Sequence, residues 1–487
     1  MTELVEVDAG RTVDRRDPGQ AQRKTKIVAT LGPSTRGERV LAGMIGAGMN
    51  VARINLSHGR IDEHEAAIAA ARRAAAACRS PLAILLDLPG PKLRLGELAE
   101  PVAVRSGQVV TLGASADVDL PVNFPELLAH FRPGELVLVD DGAVALRVGD
   151  ASDGCVTLEA LNDGTIESHK GVNLPDTTLP IAALTDADRR LLAWGLAQDV
   201  DFVALSFVRS ADDVIELKEA IAAAGGDQLG VAKSEKKEAL AVHEDIIATA
   251  DAVMVARGDL GVEIDPATVP IWQKRIIHAA NVAGKPVITA TQMLQSMISS
   301  PRPTRAEASD VANAIYDATS AIMLSGETAI GRYPVAAVET MAEIALAVEA
   351  DIEREGRAPR PWAKRRSGVS EAISYGACEV AARVGAAAIV SATFSGATAR
   401  AVARSLPAQP IIAISPRQRV VNQLALSWGV CPLRGDERGS FEEVVREAAD
   451  LVLAQGYARR GQVVVITAGL QTNRTGKTNL IKAHLLE

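Results

Sequence analysis

Eight short apolar runs, each followed by an amphipathic or Ala-rich stretch of helical character, constrain this chain more than any other feature. The runs cover residues 25–31, 49–54, 82–88, 200–205, 228–233, 251–256, 285–291 and 319–324. Strands alternating with helices imply parallel pairing through right-handed crossovers, and eight such units are the number that closes a (β/α)8 TIM barrel. Helices are expected at about 60–78, 186–198, 210–224, 236–249, 267–283, 304–317 and 334–349. Another begins after Ser34, where Thr35 and Glu38 stand at capping-box spacing. Only 3% of residues are aromatic while 48% are hydrophobic. The cores must therefore be filled by Val, Ile, Leu and Ala, as in buried parallel sheets.

The third and fourth runs lie too far apart for one crossover. Residues 96–178 between them show period-two alternation, as in Leu136-Val137-Leu138-Val139 and Val144-Ala145-Leu146-Arg147-Val148. This segment reads as a small β-barrel domain inserted in a barrel loop, where such insertions act as lids. A Pro/Arg/Lys-rich connector spans 354–368, after which strand and helix alternate again, with strands near 387–392, 410–415, 430–433, 462–467 and 478–485. The expected organisation is a tail at 1–23, a barrel over 24–95 and 179–350, a lid over 96–178 and a C-terminal α/β domain over 351–487.

Composition excludes several function classes. The net charge of −8 argues against nucleic acid as the main partner. Cys78, Cys155, Cys378 and Cys431 form no C-x-x-C pair, so neither a zinc site nor a disulfide framework is indicated, and free thiols fit a cytoplasmic protein. The first 23 residues lack the apolar core of a signal peptide, and no run approaches the ~18 apolar residues of a membrane span.

Catalytic residues of such barrels cluster where strands end. Here every strand end is polar: Thr30–Ser34, Arg53–Gly59, Asp87, Ser206-Phe207, Lys233–Glu235, Arg257–Asp259, Thr289–Gln292 and Ser325–Thr328. Arg53, Arg94, Lys233 and Arg257 bring positive charge, and Asp87, Glu235 and Asp259 bring carboxylates. Carboxylates that hold Mg²⁺ beside cations that neutralise oxygens suit a phosphate–metal substrate. Read pair by pair, the same charges equally describe ion pairs bracing strand ends.

The segments Arg53–Gly59, Lys233–Glu235, Met254–Glu263, Ala290–Met297, Pro303–Asp317 and Met323–Thr328 resemble the signature stretches of the pyruvate kinase family, in order, across roughly residues 24–487. The resemblance implies transfer of a phosphoryl group from phosphoenolpyruvate to ADP, giving pyruvate and ATP, with Mg²⁺ or Mn²⁺. It implies that Lys233 stands beside the transferring phosphoryl group with Arg53, and that Glu235 and Asp259 hold the metal. Thr291 would line the face where the enolate is protonated, with Ser325 and Glu327 in a proton relay. Ser206, Phe207 and the backbone of Ala256, Gly258 and Asp259 would line the substrate site, although Phe207 reads equally as core packing. Thr30, Pro33, Asn55, His58, Arg94 and the lid's Lys170 match positions around the nucleotide, and Asp140-Asp141-Gly142 could face it from the lid.

One departure makes a prediction. Many family members need K⁺, and their strand-three loop typically reads Asp-Thr-Lys-Gly-Pro-Glu-Ile-Arg-Thr. Here it reads Asp87-Leu88-Pro89-Gly90-Pro91-Lys92-Leu93-Arg94-Leu95. Leu88 removes an oxygen ligand, and Lys92 brings a fixed ammonium that can stand in for the ion near Asn55, Ser57 and Asp87. This is the pattern of the K⁺-independent branch; the other reading leaves Lys92 in solvent and K⁺ bound by those three residues.

Thr393, Ser395, Gly396 and Thr398 lie between a strand and a helix and resemble the family's effector loop, which binds sugar phosphates or related anions such as nucleotides. An ordinary βα turn would look the same. Gly476-Lys477-Thr478 is not a Walker A motif, because Gln471 occupies the required glycine position. The resemblance also implies a homotetramer. Two rivals remain open at this level: a different phosphoenolpyruvate-using barrel enzyme, and a catalytically inactive metabolite-binding regulator.

Overall fold

A computed structural model describes residues 23–114, 118–152, 154–177, 180–356, 368–469 and 478–487. The expected tail up to residue 22, the connector from 357 to 367 and Gly476-Lys477 lie outside the described residues.

The strands Lys26–Thr30, Val51–Asn55, Ala83–Asp87, Phe202–Leu205, Leu229–Ser234, Ala252–Ala256, Val287–Ala290 and Ala321–Leu324 close into one parallel barrel in chain order, the last pairing with the first. Six fall inside the apolar runs, and Val51–Asn55 and Leu229–Ser234 extend one residue past theirs. Except for Asn55 and Leu229, every residue in the eight strands is buried. That two-sided burial is why they read as continuous apolar runs rather than alternating ones. Val28, Leu85, Phe202, Val231, Met254, Ile288 and Met323 fill the barrel interior. Phe202, 1% exposed, is its largest side chain, and truncation to Ala would cost about 3–5 kcal/mol.

The helices match the periodic stretches, with three differences. The Thr35–Glu38 capping box does not form: Thr35 Oγ1 instead accepts from Gly32 N and donates to Gly32 O, closing a 3₁₀ turn over Pro33–Thr35. The helix Glu38–Ala47 then starts from Gly37. The stretch 236–249 breaks into Lys237–Ala241 and His243–Thr249, because Val242 leaves helical geometry at φ −121°, ψ 21°. The helix from Pro334 runs on to Arg354. At the helix Arg305–Tyr316 a capping box does form: Thr304 Oγ1 accepts from Glu307 N while Glu307 reaches back to Thr304 N.

The inserted β domain is a six-stranded sheet ordered Val172–Asn173, Leu136–Val139, Val144–Ser152, Cys155–Ala160, Val109–Gly113, Leu120–Pro121, with a two-stranded ribbon of Val102–Val104 and Gly164–Ile166. Both share one apolar core around Leu146, Leu158 and Ile166. The C-terminal sheet is ordered Val430–Arg434, Ile411–Ser415, Ala388–Ala392, Val463–Ala468, Leu480–Leu485, with only the last strand antiparallel.

This last domain seals the barrel's N-terminal mouth. Ala425 and Leu426 join the interior cluster from below. Asn422 Nδ2 donates to Asp201 Oδ1 at 3.1 Å, and Lys26 Nζ donates to Val430 O at 2.7 Å. Arg419 pairs with Asp199 and Asp227. With that mouth plugged, the rim where the strands end is the open face.

Candidate active site

At that rim a chain of charges runs across neighbouring strands. Asp87, ending its strand, accepts from Arg53 Nε at 2.7 Å and lies 3.3 Å from Lys233 Nζ. Lys233 Nζ also sits 2.7 Å from Glu235 Oε1 and donates to Ser206 Oγ at 2.7 Å. Ser206 Oγ donates to Leu88 O at 2.8 Å. Lys92 Nζ reaches Asp259 Oδ1 at 3.1 Å. Three cations (Arg53, Lys233, Lys92) thus meet three carboxylates (Asp87, Glu235, Asp259).

Their protonation follows from those contacts. Burial alone would discharge Lys233, but Asp87, Glu235 and Asp259 outweigh it and hold its pKa above the usual range. Burial likewise opposes the charge on Asp87, and Lys233 and Arg53 overcome it, pulling its pKa down. Asp259 is pulled down against its burial by Lys92 and Lys233. Glu235 is pushed up, first by burial and then by Asp259. His58 is depressed by partial burial and by Arg94, Arg53 and Lys92, which marks this side of the rim as cationic.

Glu235 fits a metal. Phe207 N donates to its Oε2 at 2.8 Å, and its buried Oε1 is ion-paired with the Lys233 ammonium at 2.7 Å. A carboxylate oxygen has lone pairs for more than one partner, and the charge of Asp259 is near enough to push the Glu235 pKa up. Glu235 and Asp259 are a suitable donor pair for Mg²⁺, which takes one or two carboxylates and fills its remaining positions with water and phosphate oxygen. Among the described residues no cluster of three or more His, Cys, Asp or Glu groups is arranged to hold a metal, so no all-protein cage competes.

The substrate side is shaped by backbone in unusual conformations. Phe207 has φ +57°, and its ring lies over Gly90, where an added Cβ would meet Phe207 Cδ2 at 2.8 Å. Thr291 has φ +69°, an outlier for a β-branched residue. It is held there by Arg257 Nη2, which donates to Thr291 O at 2.6 Å, and by Gly258 N, which donates to Thr291 Oγ1 at 2.7 Å. Thr291 thus stands at the start of the helix Arg257–Glu263, with Ala256 as its N-cap and Asp259 in its first turn.

Several expected residues have other commitments. Arg257, counted among the rim cations, spends its donors on Ala290 O, Thr291 O and Asp310. Gly258 N–H, part of the backbone expected to line the substrate site, donates to Thr291 Oγ1. Thr30 Oγ1 accepts from Arg53 Nη1 at 3.0 Å and donates to Leu324 O at 2.9 Å, so this buried hydroxyl orients Arg53. Glu327 is fully buried, accepting from Leu294 N at 3.0 Å and Ser325 N at 2.7 Å, which makes it a brace between two strand-end loops. Ser325 Oγ is buried without a hydrogen-bond partner.

On the nucleotide side, Pro33 opens the 3₁₀ turn, and Asn55 Oδ1 accepts from Ser57 N at 3.2 Å. Arg94 Nη1 donates to His169 O at 3.2 Å across the lid's root. Lys170 pairs within the lid, with Asp140 at 3.1 Å and Glu167 at 3.2 Å. Lys92 Nζ is ion-paired with Asp259 Oδ1 at 3.1 Å. In the C-terminal domain, Thr393 Oγ1 accepts from Gly396 N at 2.9 Å, Arg400 donates to Ser395 O, and Thr398 Oγ1 pairs with Thr478 Oγ1 at 2.6 Å.

Asp87 is the residue that sequence reasoning undervalued. It was counted among the rim carboxylates and placed near a monovalent-cation position but given no catalytic role, yet it is 1% exposed and orients both Arg53 and Lys233. Strand order was the available signal: Asp87 sits in register between Asn55 and Ala204, one strand from Arg53 and two from Lys233.

A closed eight-stranded barrel, capped at one end and lined at the other by a neutralised cluster around one buried lysine, defines a (β/α)8 barrel enzyme. Comparisons with known proteins make the class specific. Residues 22–338 match the model of the pyruvate kinase barrel domain, and residues 371–484 that of the pyruvate kinase alpha/beta domain. A pyruvate kinase of Clostridium acetobutylicum is 40% identical over 95% of this chain and 100% of its own length. One of Geobacillus stearothermophilus is 41% identical over 96% of this chain and 81% of its own. The crystal structure of a pyruvate kinase from Cryptosporidium parvum superimposes with a TM-score of 0.89 at 34% identity, covering 96% of both chains. The chain belongs to the pyruvate kinase family, and it is a phosphotransferase of that kind.

Proposed function

We propose that this enzyme transfers the phosphoryl group of phosphoenolpyruvate to ADP with Mg²⁺ or Mn²⁺, without requiring K⁺, and that an anionic effector at Thr393–Thr398 regulates it. The observation that carries the reading is Lys233: a buried, charged ammonium shared among Asp87, Glu235 and Ser206. In the transfer, the bond from phosphorus to the enolate oxygen breaks, and a bond from phosphorus to the terminal phosphate oxygen of ADP forms. Charge spreads over the phosphoryl oxygens, and Lys233 and Arg53 are positioned to neutralise it without reorganising. A divalent ion on Glu235 and Asp259 would add Lewis-acid neutralisation of the same oxygens. The enolate left behind takes a proton at its methylene carbon, on the face lined by Thr291.

Lys92 supports K⁺ independence. A fixed ammonium at Asp259 supplies positive charge at the metal–phosphate edge that another chain would draw from a bound monovalent ion. Among the described residues no helix is long and apolar enough to cross a membrane. A cytoplasmic homotetramer is carried over as part of the same reading. The test is metal-dependent ATP formation from ADP and phosphoenolpyruvate, with Lys233→Met as control. Turnover that is metal-independent, or that survives Lys233→Met undiminished, refutes the proposal.

A further inference from the structure

The lid meets the barrel in a cleft lined by Pro91, Lys92, Phe207, Arg209, Lys236 and Glu263, with Asn173 on its lid side. The contacts in this cleft join three segments. Lys236, directly after Glu235, places Nζ 2.7 Å from Glu263 Oε1. Glu263 ends the helix Arg257–Glu263, one turn after Asp259, so the two carboxylates share a helix face. Asn173, in the strand Val172–Asn173 by which the lid returns to the barrel, donates from Nδ2 to the same Glu263 Oε1 at 3.4 Å.

The helix carrying Asp259 is thereby pinned at both ends. Arg257 and Gly258 fasten its start to Ala290 and Thr291. Glu263 fastens its end to the segment carrying Glu235. The lid reaches that second pin through Asn173.

The joint is also incomplete. Glu263 is 4% exposed and Asn173 7% exposed, yet Glu263 Oε2 and Asn173 Oδ1 find no hydrogen-bond partner. A purely structural strut would satisfy its buried polar atoms. One long bond on the lid side and two open acceptors describe a contact that can be made and released as the lid moves.

We infer that Asn173, acting through Glu263 and Lys236, is a positioning residue that couples the seating of the lid to the placement of Glu235 and Asp259. The inference rests on the proposed metal role of those two carboxylates. When the lid seats, Asn173 holds Glu263 against Lys236, and the two carboxylate-bearing segments stay in register. When it lifts, Glu263 loses a donor and the register loosens.

The test uses Mn²⁺ alone, titrated into the full-length enzyme without nucleotide and followed by the electron paramagnetic resonance of the free ion. Wild type is compared with Asn173→Ala, Glu263→Gln and the double variant, each checked for an unchanged melting temperature. Asn173→Ala should weaken Mn²⁺ binding about three- to tenfold, although Asn173 is no ligand. The double variant should bind no more weakly than the weaker single, because both act on one joint. In Glu263→Gln, amide hydrogen exchange at Val172–Leu174 should accelerate. Unchanged Mn²⁺ affinity in Asn173→Ala, or losses that multiply in the double variant, overturns the inference. Neither readout needs turnover: a wild type that binds Mn²⁺ but makes no ATP refutes the proposed function and leaves the joint standing.

Discussion

Replacing Asp87 by Asn tests the site's charge balance. The six rim charges sum to zero: Arg53, Lys233 and Lys92 against Asp87, Glu235 and Asp259. Asp87→Asn keeps the shape and leaves a net +1 in a place where Asp87 is 1% exposed. At an effective dielectric of about 20, its contacts at 2.7 and 3.3 Å are each worth on the order of 5–6 kcal/mol before desolvation. Removing one partner of such a buried pair costs about 3–5 kcal/mol net. Arg53 and Lys233 also lose their common anchor, so kcat should fall about 10²–10³-fold, the scale for losing one preorganised charge-stabilising donor. Lys233→Met leaves a net −1 and should destabilise too. The double variant restores neutrality, so it should be more stable than either single while remaining inactive. Thermal unfolding and coupled ATP formation read the two effects separately. If the stability losses simply add in the double variant, Asp87 and Lys233 are not coupled, and the charge-balance argument is wrong.

Other predictions follow from single contacts. Turnover should be the same in K⁺-free buffer as in added K⁺, and Lys92→Met should lose activity; strong stimulation of the wild type by K⁺ refutes the role given to Lys92. Gly90→Ala puts a methyl 2.8 Å from Phe207 Cδ2 at φ +68°, so it should raise KM for phosphoenolpyruvate and cost about 1–2 kcal/mol of stability; unchanged kinetics would show that Phe207 does not shape the pocket. Burial pushes the Asp201 carboxyl up to about 6 despite Arg72 and Asn422. Its folded pKa lies above its unfolded one, so it adds stability that is full below about pH 4 and lost as pH rises through about 6, about 3 kcal/mol at most. Asp201→Asn should remove that part of the pH dependence of thermal unfolding, and identical slopes in the two proteins refute it.

The barrel was legible because a strand buried on both faces is mostly apolar, and the eight runs kept that signature apart from a few polar residues, several of them at the strand ends. The site was legible as a set of strand ends, since parallel strands deliver their C-termini to one rim. Pairing within the rim was not. Lys92 turning to Asp259, Arg257 turning to the Ala290 and Thr291 carbonyls, and Thr30 orienting Arg53 all depend on distances between strands far apart in the chain. Thr35 failed as a cap for a local reason: Gly32 lies close enough to take its hydroxyl first. Residue types and spacing list the candidates for each contact, but only the closed cylinder chooses among them.

Backbone strain separates scaffold from site by the same logic. Arg79, Asp199 and Ala318 have positive φ, and each directly follows a helix C-cap, where a left-handed residue ordinarily ends the helix. Phe207, Thr291 and Gln292 also have positive φ, but they follow strands at the open rim and have no cap to make. Ser325 Oγ, buried without a hydrogen-bond partner, lies at a strand end of the same rim. Such conformations cost on the order of 1–3 kcal/mol each and persist only where the surroundings over-determine them. Here the determinants are visible: Glu235 holds Phe207 N, while Arg257 and Gly258 hold Thr291. The plugged mouth, by contrast, ties Asp201, Asn422 and Lys26 into hydrogen bonds across the domain boundary. One end of the cylinder is therefore stabilised by the C-terminal domain, and the other holds Phe207 and Thr291 in strained conformations beside the Lys233–Glu235 ion pair.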